Sequence, residues 1–301
     1  MVKKMNDEIK RIKTPTTFEE QLDILQARGM QVEDRQKALE VLSRINYYRL
    51  SAYMLTFKLE DNFEDGVTFN RIYDLYEFDK RLRNMIVGVL ETIEVTFRNH
   101  ISYLIAHKYG AIGHLDVENF RNAAYHEDMI RQIESEINRS NEIFIQHHKD
   151  KYDGVFPVWV SIEVTSFTLL SKIYSNLKNE DQSKIAKEHY GIPYVYIRNW
   201  IYVLTMVRNT CAHYGRLYNK GLTIKFKLDK SDLDRGLKND TIFTAIYLMG
   251  KLTKDEIEWR SFVINLKGLI EKYEKIDISL MGFPDDWEEL LEKVEQQGRD
   301  G

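Results

Sequence analysis

Cysteine is nearly absent from this 301-residue chain: Cys211 stands alone. That excludes an internal disulfide and any Cys-rich zinc site, and it fits a reducing cytoplasm. Proline and glycine are scarce too, at 4 and 15 residues, and so little punctuation favours long helices over many turns. No apolar run approaches the roughly 20 residues that a membrane-spanning helix needs. Val2-Lys3-Lys4 leads into polar residues instead of the apolar stretch of a secretory leader. A soluble, cytoplasmic protein with no membrane partner is expected. There is no phosphate-cradling glycine loop and no HExxH pattern, and Gly110-Ala111-Ile112-Gly113 reads as a helix end. His100 and His107, and the adjacent His147 and His148, lack carboxylates at ligand spacing, so no metal and no other cofactor is expected.

What is present is enough for a core, with 43% hydrophobic residues, and the 47 acids slightly outnumber the 43 bases. Lys3, Lys4, Lys10, Arg11 and Lys13 lie in a polar first segment that reads as a tail or as an RNA-touching arm. Thr17 with Glu20 three residues on has the form of a capping box before Leu22 and Leu25, and Gly29 ends that helix. A second amphipathic helix runs from about Glu33 to Ile45. Arg44 to Tyr53 interleaves arginines with Tyr47, Tyr48 and Tyr53, which can stack on bases or pack in a core. The acidic loop Glu60 to Gly66 marks the best boundary, giving an N-terminal helical segment over 1–66 and a helical domain over 67–301.

Beyond it, apolar residues at helical spacing predict one long helix or two joined ones over Phe69 to Tyr109. A charged helix is expected over Tyr125 to Lys149, a buried central helix from Pro157 to Leu177, and a short helix over Asp181 to Glu188. After the apolar run that follows Pro193, Leu222 to Leu228 alternates like a strand but has no evident partner, so an extended segment or small hairpin is expected. Thr241 to Leu252, Lys254 to Tyr273 and the acidic stretch after Pro284 read as the last helices.

One stretch carries chemistry. Arg208, Asn209 and His213 fall within six residues, and on a helix Asn209 and His213, four apart, share a face while Arg208 reaches the same edge with a long side chain. Arginine is a permanent, forked phosphate donor and histidine exchanges protons near neutral pH, so the trio suits metal-free RNA cleavage. From His189 to Leu228 there is no Asp or Glu, whereas Arg198, Arg208, Arg216, Lys220, Lys225 and Lys227 are all present. A polyanion is the natural partner of such a stretch. Arg216, Lys220, Lys225 and Lys227 are therefore candidate RNA contacts. On the long helix, Arg98, Asn99 and His100 are further candidates if they face the same cleft, although Glu94 and Arg98, four apart, also have the spacing of a plain surface ion pair. Cys211 lies about 200° round the helix from His213 and reads as a packing residue.

Arg-Asn-x-x-x-His, with Ala212 before the histidine, resembles the signature of HEPN-domain ribonucleases. Ile45 to Tyr53, Pro157 to Val160 running into Ser166-Phe167, Gly215 to Asn219, and Met281 to Trp287 together resemble the Abi-like family of bacterial abortive-infection proteins, of the AbiD and AbiF types. The resemblance implies an all-α fold, a HEPN-type helical bundle with additional N-terminal and C-terminal helices. It also implies RNA cleavage in anti-phage defence and a homodimer that pairs two motifs across a cleft. Trp200, Val203, Leu204 and Val207 then belong either to the interface or to the chain's own core. RNA is the expected partner, as substrate or as a bound non-coding RNA, and DNA is not. Some HEPN toxins carry a tyrosine two residues after the histidine, but here that position is Gly215 and the tyrosine is Tyr214. The alternative reading is a non-catalytic module that holds a structured RNA or is neutralised by an antitoxin.

Overall fold

In the computed structural model residues 14–297 are described, with side chains up to Val294. Up to residue 13 the expected tail lies outside them. The chain is 70% helical, with 14 α-helices among the described residues and one two-stranded sheet, which makes it all-α as the shortage of proline and glycine predicts. No helix among these residues is long and apolar enough to cross a membrane. Two compact units part between Lys80 and Arg81.

In the first unit the capping box forms as its sequence predicts. Thr17 Oγ1 accepts the Glu20 N–H at 3.2 Å and Glu20 Oε2 accepts the Thr17 N–H at 2.7 Å, opening α1 (Phe18–Ala27). Leu22 and Leu25 are fully buried, and Gly29 follows at a left-handed φ of 93° that ends the helix. Asp34 caps α2 (Arg35–Arg44) and Asn46 caps α3 (Tyr47–Met54). Tyr53 is buried and donates to Asp79 at 2.7 Å, whereas Tyr48 is exposed, so the arginine–tyrosine stretch divides between core and surface. The polar loop after it closes a hairpin of β1 (Lys58–Leu59) and β2 (Asn62–Phe63).

The long helix α4 (Phe69–Tyr109) is a single 41-residue element. In the second unit its Ile86, Leu90, Ile93, Phe97 and Ile101 are buried at three- and four-residue spacing. Two runs that periodicity joins are split. The charged one becomes α5 (Ala123–Arg139) and α6 (Ile143–Lys151), because Ser140 is extended and its hydroxyl accepts the Glu142 N–H at 3.3 Å. After Pro157 come the short α7 (Val158–Ser161), a 3-10 turn (Ile162–Val164) and then α8 (Phe167–Asn176). Here Thr165 and Ser166 are extended, and the Ser166 hydroxyl caps the new helix by accepting the Leu169 N–H at 3.2 Å. A hydroxyl that satisfies the backbone locally competes with continuing the helix.

Helix α9 (Asn179–Tyr190) leads through Gly191 to α10 (Tyr194–Ala212), which packs on α8 and α9. Residues 222–228 form no strand among the described residues and bend at 223–224, with Leu222 and Phe226 donating their N–H groups to the Asp240 and Asn239 carbonyls at 2.7 and 2.8 Å. After α11 (Lys230–Asp234), α12 (Ile242–Leu252) is buried on nearly every side, as a helix apolar all round must be. Helices α13 (Glu256–Lys272) and α14 (Trp287–Gln297) pack against each other. Gly250 on α12 is required by close approach: a Cβ there would lie 2.5 Å from the Trp259 ring.

The turn after α4 holds a buried titratable group. His114 is 3% exposed, its Nδ1 finds no partner among the described residues, and burial, with His126 nearby, holds its imidazole down at about 4 against an ordinary 6.5. The unfolded chain therefore binds the extra proton between those values, so the stabilisation is complete above pH 6.5 and is lost as pH falls to about 4. It amounts to at most about 3 kcal/mol. Urea midpoints measured from pH 7 to pH 4 should fall less steeply in His114→Gln than in the wild type. Equal slopes would remove His114 from the acid response.

Candidate active site

Helix α10 presents the motif at its last turn. Trp200, Val203, Leu204 and Val207 are each no more than 1% exposed, so they belong to the chain's own core and do not extend into an interface. Cys211 is buried too, as a packing residue. Arg208 and Asn209 leave this apolar side and are half-buried, and His213, the C-terminal cap, is exposed.

The way the helix stops sets where His213 lies. Gly215 donates its N–H to the Thr210 carbonyl at 2.7 Å and Tyr214 to the Cys211 carbonyl at 3.0 Å, the paired bonds of a Schellman closure. The left-handed residue in that closure is Tyr214, at φ 59°, where glycine is usual. A side chain there costs roughly 1–2 kcal/mol. Gly215 is itself constrained, since a Cβ would lie 2.8 Å from Thr210 Cγ2 and 3.0 Å from its carbonyl oxygen. Leu217 and Tyr218, both buried, anchor the chain just beyond. The turn thus carries His213 and Tyr214 outward together.

Arg208 is met from α4. Its Nε lies 4.0 Å from Glu94 Oε2, while Glu94 Oε1 accepts from Arg98 at 2.7 Å. Arg98 also donates to the Thr165 carbonyl at 2.8 Å and lies 4.0 Å from Glu163. Glu94 and Arg98 are 8% and 9% exposed, so this is not the surface ion pair that spacing alone allows. Burial raises the Glu94 carboxyl above the ordinary carboxylate range, and the guanidiniums of Arg98 and Arg208 pull it down without cancelling that effect. From the other side Asn209 Nδ2 donates to Thr168 Oγ1 on α8 at 3.2 Å. One buried carboxylate and one amide therefore fix α10 to α4 and α8.

Arg98, Asn99 and His100 do not converge on one cleft. Successive helical residues point about 100° apart, so while Arg98 meets Glu94, Asn99 is exposed and His100 turns away. The His100 ring stacks on His189 with centroids 3.6 Å apart, and its Nδ1 is 3.2 Å from the Tyr190 hydroxyl. Burial, with His189 and Lys254 beside it, holds its imidazole at about 4.

The basic stretch is surface, but its field is not unopposed. Arg216 is half-buried, and Lys220, Lys225 and Lys227 are exposed. Lys225 lies 3.6 Å from Asp240, and Glu94 faces Arg208, so a stretch free of acids along the chain gains them through folding. Glu94 is the participant that sequence reasoning missed as a site residue. Its signal was the spacing to Arg98, which does not reveal burial. Among the described residues, no group of three His, Cys, Asp or Glu is arranged to hold a metal ion.

A family model described as Abi-like protein matches residues 40–219, a span that includes the motif and the blocks at 45–53, 157–167 and 215–219 but not 281–287. No curated protein and no solved structure matches.

Removing Glu94 leaves Arg98 buried, with its Nε already lacking a partner among the described residues. Glu94→Ala should cost about 3 kcal/mol or more in chemical denaturation. Arg98→Leu in the same chain should recover a large part of that loss. An additive loss in the double variant would show that the pair is not coupled.

Proposed function

The chain belongs to the Abi-like family, and from that premise we propose that it is a metal-independent HEPN endoribonuclease of the AbiD and AbiF type, acting in the bacterial cytoplasm in abortive-infection defence against phage. The observation that carries this reading is the placement of Arg208, Asn209 and His213. The histidine is exposed at a closed helix end, the arginine is held by Glu94 with its side chain 40% exposed, and the asparagine is tied to Thr168.

In this reading His213 takes the proton from a ribose 2′-hydroxyl, and the 2′-oxygen bonds to phosphorus as the bond from phosphorus to the 5′-oxygen breaks. The leaving oxygen receives a proton from a second imidazole in its charged form, leaving a 2′,3′-cyclic phosphate and a 5′-hydroxyl. Arg208 meets the charge that grows on the phosphoryl oxygens. Because Glu94 shares this guanidinium, the approach of a phosphate exchanges one anion for another without leaving a bare buried charge. Asn209 orients the last turn. Arg98 acts through Glu94 as a positioning residue, and Arg216, Lys220, Lys225 and Lys227 supply cationic surface for the RNA backbone, with Asn99 exposed on α4 and His100 beside His189 as outlying contacts.

One chain holds one His213 and one Arg208, whereas the reaction uses a base and an acid together. A two-fold homodimer supplies both, since a symmetric interface brings the same surface of each copy to the axis. With Trp200, Val203, Leu204 and Val207 already buried in the chain, the exposed end of α10 around Tyr214 is the part left to meet a partner.

Incubated with single-stranded RNA in excess EDTA, the protein should yield 2′,3′-cyclic phosphate or 3′-phosphate ends. A strict magnesium requirement with 3′-hydroxyl products would sink the mechanism. His213→Ala should lower the rate by two orders of magnitude or more with an unchanged circular dichroism spectrum. Full activity would make the motif structural. Specific activity and sedimentation, followed together through dilution, should fall in parallel as dimers separate, and a fully active monomer would refute the shared site.

A further inference from the structure

A cavity of about 540 Å³ opens along the same helices as the motif, lined from α5, α8, α10 and, after α10, Lys227. It lies within the range of roughly 300–1,000 Å³ typical of ligand sites. Met129 and Leu169, both buried, provide apolar wall. Lys172, Arg198 and Lys227 bring three cations to the lining, and among the described residues none of them is paired with a carboxylate. The one acid in the lining, Asp128, is already engaged, 3.5 Å from Arg131 and accepting from Gln132 at 2.6 Å. Tyr125 and Tyr202 complete it with rings that are 70% and 40% exposed.

The backbone that carries Lys227 is held to α10. Asn199 Oδ1 accepts the Lys227 N–H at 2.6 Å, Trp200 Nε1 donates to the Lys227 carbonyl at 2.6 Å, and Asn199 Nδ2 donates to the Lys225 carbonyl at 3.2 Å. These bonds tie residues 225–227 to α10.

The cavity is in line with the motif. On α10, Tyr202 and Asn209 are seven residues apart, hence within about 20° of the same face, and Arg198 lies about 15 Å along the axis from Arg208. On α8, Thr168 bonds to Asn209, while Lys172, four residues on, lines the cavity on the same side. A cation trio without a carboxylate partner among the described residues, beside exposed aromatic rings, has the chemistry of a nucleotide site: the cations take a phosphate and a tyrosine stacks on a base.

We propose that this cavity seats one nucleotide of a single-stranded RNA, a short distance along the chain from the bond at His213, with its phosphate on Arg198, Lys172 and Lys227 and its base against Tyr202 or Tyr125. This rests on the ribonuclease reading for the identity of the polymer but not for the occupancy of the cavity. It makes the protein selective for unpaired RNA, because a base can reach the cavity only when it is free of a partner strand.

The test uses the full chain carrying His213→Ala, so that binding is read without cleavage. Calorimetric titration with the four 5′-ribonucleoside monophosphates, the matching nucleosides and inorganic phosphate should find one site per chain. At least one monophosphate should bind at least ten-fold tighter than its nucleoside and than phosphate. Arg198→Gln should weaken it ten-fold or more, and Ser175→Trp, which fills the cavity from α8, should abolish it with the helical spectrum unchanged. A short single-stranded RNA should displace the bound monophosphate, and a blunt duplex should not. No binding by any monophosphate, or affinity unchanged in both variants, overturns the proposal; binding that RNA fails to displace overturns its RNA part. If the monophosphate binds as described but the wild type cleaves no RNA, the cavity stands and the ribonuclease reading falls.

Discussion

A single buried carboxylate organises the motif end of the second unit. Glu94 reaches Arg98 with one oxygen and Arg208 with the other, and Arg98 in turn holds the Thr165 carbonyl where the chain breaks before α8. Burying a carboxylate costs several kcal/mol unless charge and hydrogen bonds compensate, so the arrangement tolerates little change in any member. The same constraint splits the run after Pro157. Thr165 is extended, its carbonyl is taken by Arg98, and Ser166 begins the next helix with its own side chain. Helix boundary and charge network are one feature, since the carbonyl that Arg98 uses is not spent inside a helix.

The opposite end of the motif is set by backbone geometry instead of charge. Tyr214 adopts the left-handed conformation that closes α10, and Gly215 fits only because it lacks a Cβ next to Thr210. Leu217 and Tyr218 are buried immediately afterwards, so the turn is clamped from both sides. An exposed histidine on a clamped turn keeps a fixed relation to Arg208 while remaining open to solvent. Strain of this kind persists only where the surroundings impose it, and here those surroundings are α10's core-facing side and the buried residues after the turn.

Between these two ends, α8 and α10 form a track. Asn209 and Thr168 close it near the motif, and Lys172, Arg198 and the strapped Lys227 lie farther along it. Lys225 of the basic stretch lies 3.6 Å from Asp240, whereas Arg198 and Lys227, with Lys172 from α8, line the cavity without a carboxylate partner among the described residues.

The all-α class follows from local sequence alone, since four prolines and helical apolar spacing leave few other solutions. So do local starts and stops such as the Thr17 box and Gly29, because capping acts within a few residues. Arg208, Asn209 and His213 were likewise visible as a cluster, since one helix turn suffices to bring them near one another. What lies across from them depends on packing between distant segments. Glu94, 114 positions before Arg208, reads as a surface residue until folding buries it. Periodicity reports that Trp200 and Val207 face something apolar but not whether that is the chain's own core or a second copy, and burial in the single chain answered it. The surroundings of His100 are hidden from the sequence for a related reason: its neighbours are His189 and Tyr190, and contacts between residues about 90 positions apart follow from how helices pack, which no local pattern encodes.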